Sequence, residues 1–108
     1  MNCPSLQGWD ISNSETTDWV PWGSSNNARA KVLATGDGFY VALVEASAGY
    51  KGDPHEHVHP EFLYVVEGVI RNQGRTMVAG DGYAAAAGSC HTDFAAESDA
   101  TYLSIFKL

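Results

Sequence analysis

The sequence is poor in basic residues: Lys and Arg together number 6 against 13 Asp and Glu, a formal charge of −7 over 108 residues. Such a chain lacks the clustered cations that neutralise phosphates, which argues against nucleic-acid and anionic-membrane binding. A neutral or cationic small molecule is the better-fitting partner. Cysteine is scarce as well. Cys3 and Cys90 stand in unlike settings and make no disulfide framework, so a reducing cytoplasm is the simplest location. No basic start followed by an apolar run opens the chain, and nowhere is there the run of roughly 18 apolar residues that a spanning helix needs. What the sequence does have, 44% hydrophobic residues, can supply the core of one small domain without a metal or disulfide scaffold.

Helical periodicity is also missing. Residues 1–17 are rich in Ser, Asn, Thr and Asp and read as an extended leading segment, with residues 18–108 as the single folded domain. In Trp19-Val20-Pro21-Trp22 a proline excludes a regular central strand and predicts an edge or lid packed on the core. From residue 29 onward short runs rich in Val, Ile, Leu, Phe and Tyr alternate with Gly and Asp-Gly. They predict strands near 29–34, 39–46, 54–59, 61–67, 69–73, 75–79, 83–86, 91–95 and 100–107, with tight turns at Asp37-Gly38 and Asp81-Gly82. A series of this kind is an all-β sandwich or barrel.

All four histidines fall between residues 55 and 91, three of them in Asp53-Pro54-His55-Glu56-His57-Val58-His59-Pro60-Glu61. Two local geometries select different ligands. On a helix, His55-Glu56-x-x-His59 would match the zinc-protease pattern, but Pro54 and Pro60 leave at most one helical turn and the following EFLYVV is strand-like. On a strand, a period of two puts His55 and His57 on one face and Glu56 on the other. A bend at 58–60 then lets Glu61 return a carboxylate to the same cavity, and His91, just after Gly88-Ser89-Cys90, is the obvious fourth donor. Imidazoles with a carboxylate suit borderline divalent metals.

The spacing resembles the two sequence motifs of the cupin superfamily. Gly49, His55, His57, Glu61 and Gly68 match the first motif in full. Gly80, Gly88 and His91 match the second, which this chain departs from at Ala86, where the pattern has Pro, and at Ala95, where it has Asn. The resemblance implies a jelly-roll β-barrel whose interior holds one divalent metal on His55, His57, Glu61 and His91, with Fe(II) favoured and Zn, Ni or Mn as the other choices. Glu61 is either a ligand or a nearby base. The wording around Trp19–Trp22 and HxHxxxEFLYVVEG is also similar to small cupins related to diketone- and dihydroxyacetophenone-cleaving dioxygenases and to cupin sensor domains. Three activities follow as expectations: oxygen-dependent cleavage of a diketone or enolate-like compound, a non-redox isomerase, cyclase or lyase, or a non-catalytic sensor module.

Other residues fall outside this set. His59 lies at a bend expected to turn outward, and Glu56 faces solvent by alternation. Cys90 points away from its neighbour His91, which argues against a Cys-His nucleophile. With Glu61 inward, Leu63 and Val65 follow it, while Phe62, Tyr64 and Val66 present an outward face that the leading segment or a second subunit of a homodimer would cover.

Overall fold

A computed structural model describes residues 5–108, so Cys3 lies outside the described residues. Among these there is no α-helix, only one 3-10 turn at Ser14–Thr16. The strands are β1 (Val20–Pro21), β2 (Ala28–Gly36), β3 (Phe39–Ala46), β4 (His55–Glu56), β5 (Glu61–Glu67), β6 (Val69–Asn72), β7 (Arg75–Val78), β8 (Gly82–Ala85), β9 (Cys90–His91), β10 (Phe94–Ala96) and β11 (Ala100–Lys107). They make a six-stranded sheet in the order β1-β2-β3-β11-β5-β8, a three-stranded sheet β10-β6-β7 and a two-stranded sheet β4-β9. Every pairing between strands is antiparallel. The architecture is the expected all-β jelly roll.

The longest strands are the runs richest in β-branched and aromatic residues, and their alternation decides which face is buried. In β5 Leu63 is 5% and Val65 0% exposed, whereas Phe62, Tyr64 and Val66 are 44%, 51% and 47% exposed, the alternation expected from an inward Glu61. Val44, Val65 and Ile70 are fully buried at the centre of the core, each stabilising the fold by about 1.5–3 kcal/mol through its burial. The Trp19–Trp22 segment does form an edge: β1 pairs only with β2, and Trp22 packs onto the core and meets Phe106 edge-on at 5.5 Å. Trp9, by contrast, is 70% exposed.

Three local readings need correction. The strand expected over 54–59 is ladder-paired only at His55–Glu56, because Pro54 and Pro60 bracket it and cannot donate to a ladder. The strand expected over 91–95 is broken into β9 and β10. Gln73 accounts for the break: its Oε1 accepts from the backbone N–H of Thr92 at 2.7 Å and of Asp93 at 3.0 Å, drawing that backbone out of register. The turn assigned to Asp81-Gly82 lies just before it, at Ala79-Gly80, closed by Asp81 N–H donating to the Val78 carbonyl. Asp37-Gly38 is a turn as expected, with both residues at positive φ. Gln73-Gly74, at φ 51° and 77°, is a second such turn.

Arg71 clamps the same region, donating from Nε and Nη2 to the Asp93 carboxylate at 2.9–3.1 Å and also reaching Glu97. The Arg71 hydrogen bonds hold the Asp93 carboxyl below its ordinary range. A depressed folded value gives stability that is complete above the unfolded pKa, near 3.9, and is lost as pH falls through the lower folded value. Native protein should therefore lose more melting temperature than Asp93→Asn as pH is lowered from 5 toward 3, measured by thermal denaturation.

Candidate metal centre

The cluster is assembled by the smallest sheet. In β4-β9, His55 stands opposite His91 and Glu56 opposite Cys90. The pairing then continues beyond the ladder, with His57 N–H donating to the Ser89 carbonyl and Gly88 N–H to the His57 carbonyl, both at 2.7 Å. The turn before β9 closes through Ser89, whose N–H and Oγ both donate to the Ala86 carbonyl, so the turn forms with Ala where the cupin pattern has Pro. Ala95, the other departure, is a buried strand residue opposite Arg71. The four motif glycines Gly49, Gly68, Gly80 and Gly88 all have positive φ, the conformation that selects glycine.

His55, His57, Glu61 and His91 each offer one donor atom, and these atoms lie within 4.8 Å of one another. His57 and His91 are both only 7% exposed. Glu61 is half-buried and His55 sits exposed at the rim. The outlying residues fall as expected: Glu56 and Cys90 are exposed, and His59 stays outside the cluster.

Each ring is oriented by a backbone or hydroxyl partner. His55 Nδ1 donates to the Asp53 carbonyl at 2.9 Å, which leaves Nε2 as the nitrogen free to meet the other donors. His57 Nδ1 donates to Ser89 Oγ at 3.0 Å. Its Nε2 is buried and has no hydrogen-bond partner, lying 3.4 Å from Glu61 Oε2 without the alignment of a bond. His91 Nε2 is 2.9 Å from Glu61 Oε2, and its Nδ1 is also buried without a partner. Two orphaned imidazole nitrogens in one buried cluster cost free energy unless a further group satisfies them. The donor set fits a divalent transition ion, and so does the open Nε2 of His57 beside Glu61 Oε2.

Tyr83 completes the surroundings and was not distinguished by the sequence. It faces inward opposite Leu63, donates its hydroxyl to Glu61 Oε2 at 2.8 Å and lies 3.2 Å from His91 Nε2. Burial raises the Tyr83 phenol well above its ordinary range, reinforced by the Glu61 charge, so it is a neutral donor. Burial pushes Glu61 upward too, but hydrogen bonds from His91 and Tyr83 and the nearby His91 and His57 charges outweigh it, and the carboxyl lies below its ordinary value.

The cluster opens on a cavity of about 300 Å³ walled by Trp22, Tyr50, Leu63, Phe94, Tyr102 and Phe106. Leu63, inward beside Glu61, is part of this lining, whereas Val65, inward on the same strand, is not. A larger trough of about 740 Å³ lies elsewhere, between Trp19 and Asp99, and contains none of the four donors.

Residues 9–107 match the family model of the ChrR cupin-like domain. The chain belongs to the ChrR-like cupins. An acetylacetone dioxygenase from Acinetobacter johnsonii superposes with a TM-score of 0.78 at 15% identity, covering 99% of this chain and 78% of that one. KdgF from Halomonas sp. gives 0.76 at 24% identity, covering 90% and 91%. A chain of the Rhodobacter sphaeroides SigE complex with the anti-sigma ChrR gives 0.74 at 25% identity; 88% of this cupin is covered, and it spans about half of that chain, 52%. No curated protein matches the sequence. Among the described residues no helix is long and apolar enough to cross a membrane.

Proposed function

We propose that this cupin holds one divalent transition ion, iron(II) in the first instance, on His55, His57, Glu61 and His91, and cleaves a small diketone or enolate-like compound with dioxygen. The observation that carries the reading is the convergence of four donor atoms within 4.8 Å at a cavity of about 300 Å³ with aromatic walls. Bound there, the ion supplies a Lewis acid and, as iron, a redox centre. The likeness to an acetylacetone dioxygenase supports the choice of chemistry.

The chain's own residues position, exclude water and move a proton. Trp22, Phe94, Tyr102 and Phe106 hold an apolar ligand and displace water from it. Glu61 Oε2, oriented by Tyr83 and His91, accepts the proton that a diketone loses on enolisation. In this reading residues 18–108 form the cytoplasmic barrel, residues 1–17 are an extended leading segment, and a second copy covers the outward face of Phe62, Tyr64 and Val66.

Under air, iron-loaded protein should consume acetylacetone with a matching uptake of dioxygen, and both should stop in its absence. Turnover unaffected by removing dioxygen would contradict the reading and favour a non-redox isomerase, cyclase or lyase.

A second reading is supported by the match to the ChrR cupin-like family and by the likeness to a chain of a sigma–anti-sigma complex. In it, metal and ligand occupancy stabilise one conformation that a protein partner reads. Ligand-dependent thermal stabilisation without product from a broad panel of diketones and hydroxy acids would select it.

A further inference from the structure

The cavity carries a second set of polar groups that the metal centre does not use. Tyr50, Tyr102 and Ser104 line it, and they are only 4%, 2% and 2% exposed. Tyr102 and Ser104 are inward residues of β11, opposite Val65 and Leu63 of β5, whose next inward residue is Glu61. Tyr50 approaches from the other side. Its hydroxyl lies beneath Gly23, where an added Cβ would come within 2.8 Å of it. Burial, foremost, keeps both phenols protonated, so each has an O–H to give. No protein acceptor takes those hydrogens among the described residues, nor that of Ser104.

Hydroxyls that line a cavity and hold no protein acceptor are placed to bond a ligand that enters it. The residues around them say what that partner is. Among the described residues no Lys or Arg lines the cavity, so away from the metal donors a carboxylate or phosphate on the ligand would find no counter-cation at the hydroxyls. An uncharged acceptor oxygen satisfies the hydroxyls at no such cost.

We propose that Tyr50, Tyr102 and Ser104 form a second recognition site, which takes an uncharged carbonyl or hydroxyl oxygen of the ligand beyond the oxygen pair that meets the metal donors. The site selects neutral ligands with three oxygen functions over those with two. This rests on the reading that a dicarbonyl binds at a metal held by His55, His57, Glu61 and His91.

Heptane-2,4,6-trione and heptane-2,4-dione differ only by the distal carbonyl and make the matched probe pair. Their affinities for Ni(II)-loaded protein, read from their ultraviolet bands, are compared with their ratio on aqueous Ni(II). Beyond that ratio the trione should bind roughly 3- to 10-fold more tightly, the worth of a neutral hydrogen bond. The margin should shrink in Ser104→Ala, with nickel content and dione affinity unchanged, and in Tyr102→Phe, where it is read as the ratio of trione to dione affinity at unchanged nickel content. Equal affinities after correction, or a margin that survives in both variants, would overturn the second site and leave the metal reading standing. Binding of neither compound to nickel-loaded protein would overturn the diketone reading and the second site with it.

Discussion

Replacing His57 with Ala should weaken divalent-metal binding by more than about 100-fold, because loss of a direct ligand exceeds the 10- to 100-fold typical of losing a supporting partner. His57 is a buried donor whose Nδ1 is fixed by Ser89 and whose Nε2, beside Glu61, has no hydrogen-bond partner. Competition with a chelator of known affinity reads the change. His59→Ala is the internal control, since His59 stands two residues away in sequence but outside the cluster, and its affinity should match native protein. Equal losses in the two variants would show that the effect is general to the loop rather than specific to the donor set. The melting temperature of metal-free His57→Ala separates a lost ligand from a lost fold.

Gly68→Ala should destabilise the protein by about 3–5 kcal/mol, a large part of the roughly 5–15 kcal/mol that holds a small domain folded. Gly68 links β5 to β6 at φ 86°, and a Cβ there would lie 2.2 Å from the Asp99 carbonyl oxygen and 2.7 Å from Ala100 Cα. Both are backbone atoms at the start of β11, the strand that joins β3 to β5, so relief requires moving the centre of the six-stranded sheet. Gly74→Ala makes the comparison: φ is 77°, but no atom lies within 4 Å, and only the backbone strain of about 1 kcal/mol remains. Urea unfolding of the two variants should separate them clearly. Equal destabilisation would mean that the close approach at Gly68 carries no energy of its own.

These two positions also show how far the sequence could be read. Gly68 and His57 both belong to the first cupin motif, where fixed spacing along the chain encodes a turn, a strand and a metal-binding donor set together. The strands over 39–46 and 61–67 were legible because their hydrophobic runs are long and bounded by turn residues. The segments around the metal donors were not, because two-residue strands such as His55–Glu56 and Cys90–His91 have too little length to show a period. The break after His91 depends on Gln73, 19 residues away, whose side chain captures two backbone donors. Nothing local to Thr92 or Asp93 announces that contact.

Tyr83, Tyr50 and Ser104 were missed for the same reason. Tyr83 reaches Glu61 only because β8 pairs with β5 in the register that sets it opposite Leu63. Tyr102 reads as core or cavity wall, and the Ser within the apolar run ATYLSIFK was the available signal for a polar site beside it. A polar residue at an inward position of such a strand asks for a partner, and here the cavity provides the place for one.

The metal content of protein purified without a metal-affinity tag tests the account most directly. Elemental analysis should find close to one divalent transition ion per native chain, iron for the oxygen-dependent reading, and almost none in His57→Ala prepared alongside. Native protein that retains no metal, even after reconstitution with iron, manganese, nickel and zinc in turn, would contradict the metal centre.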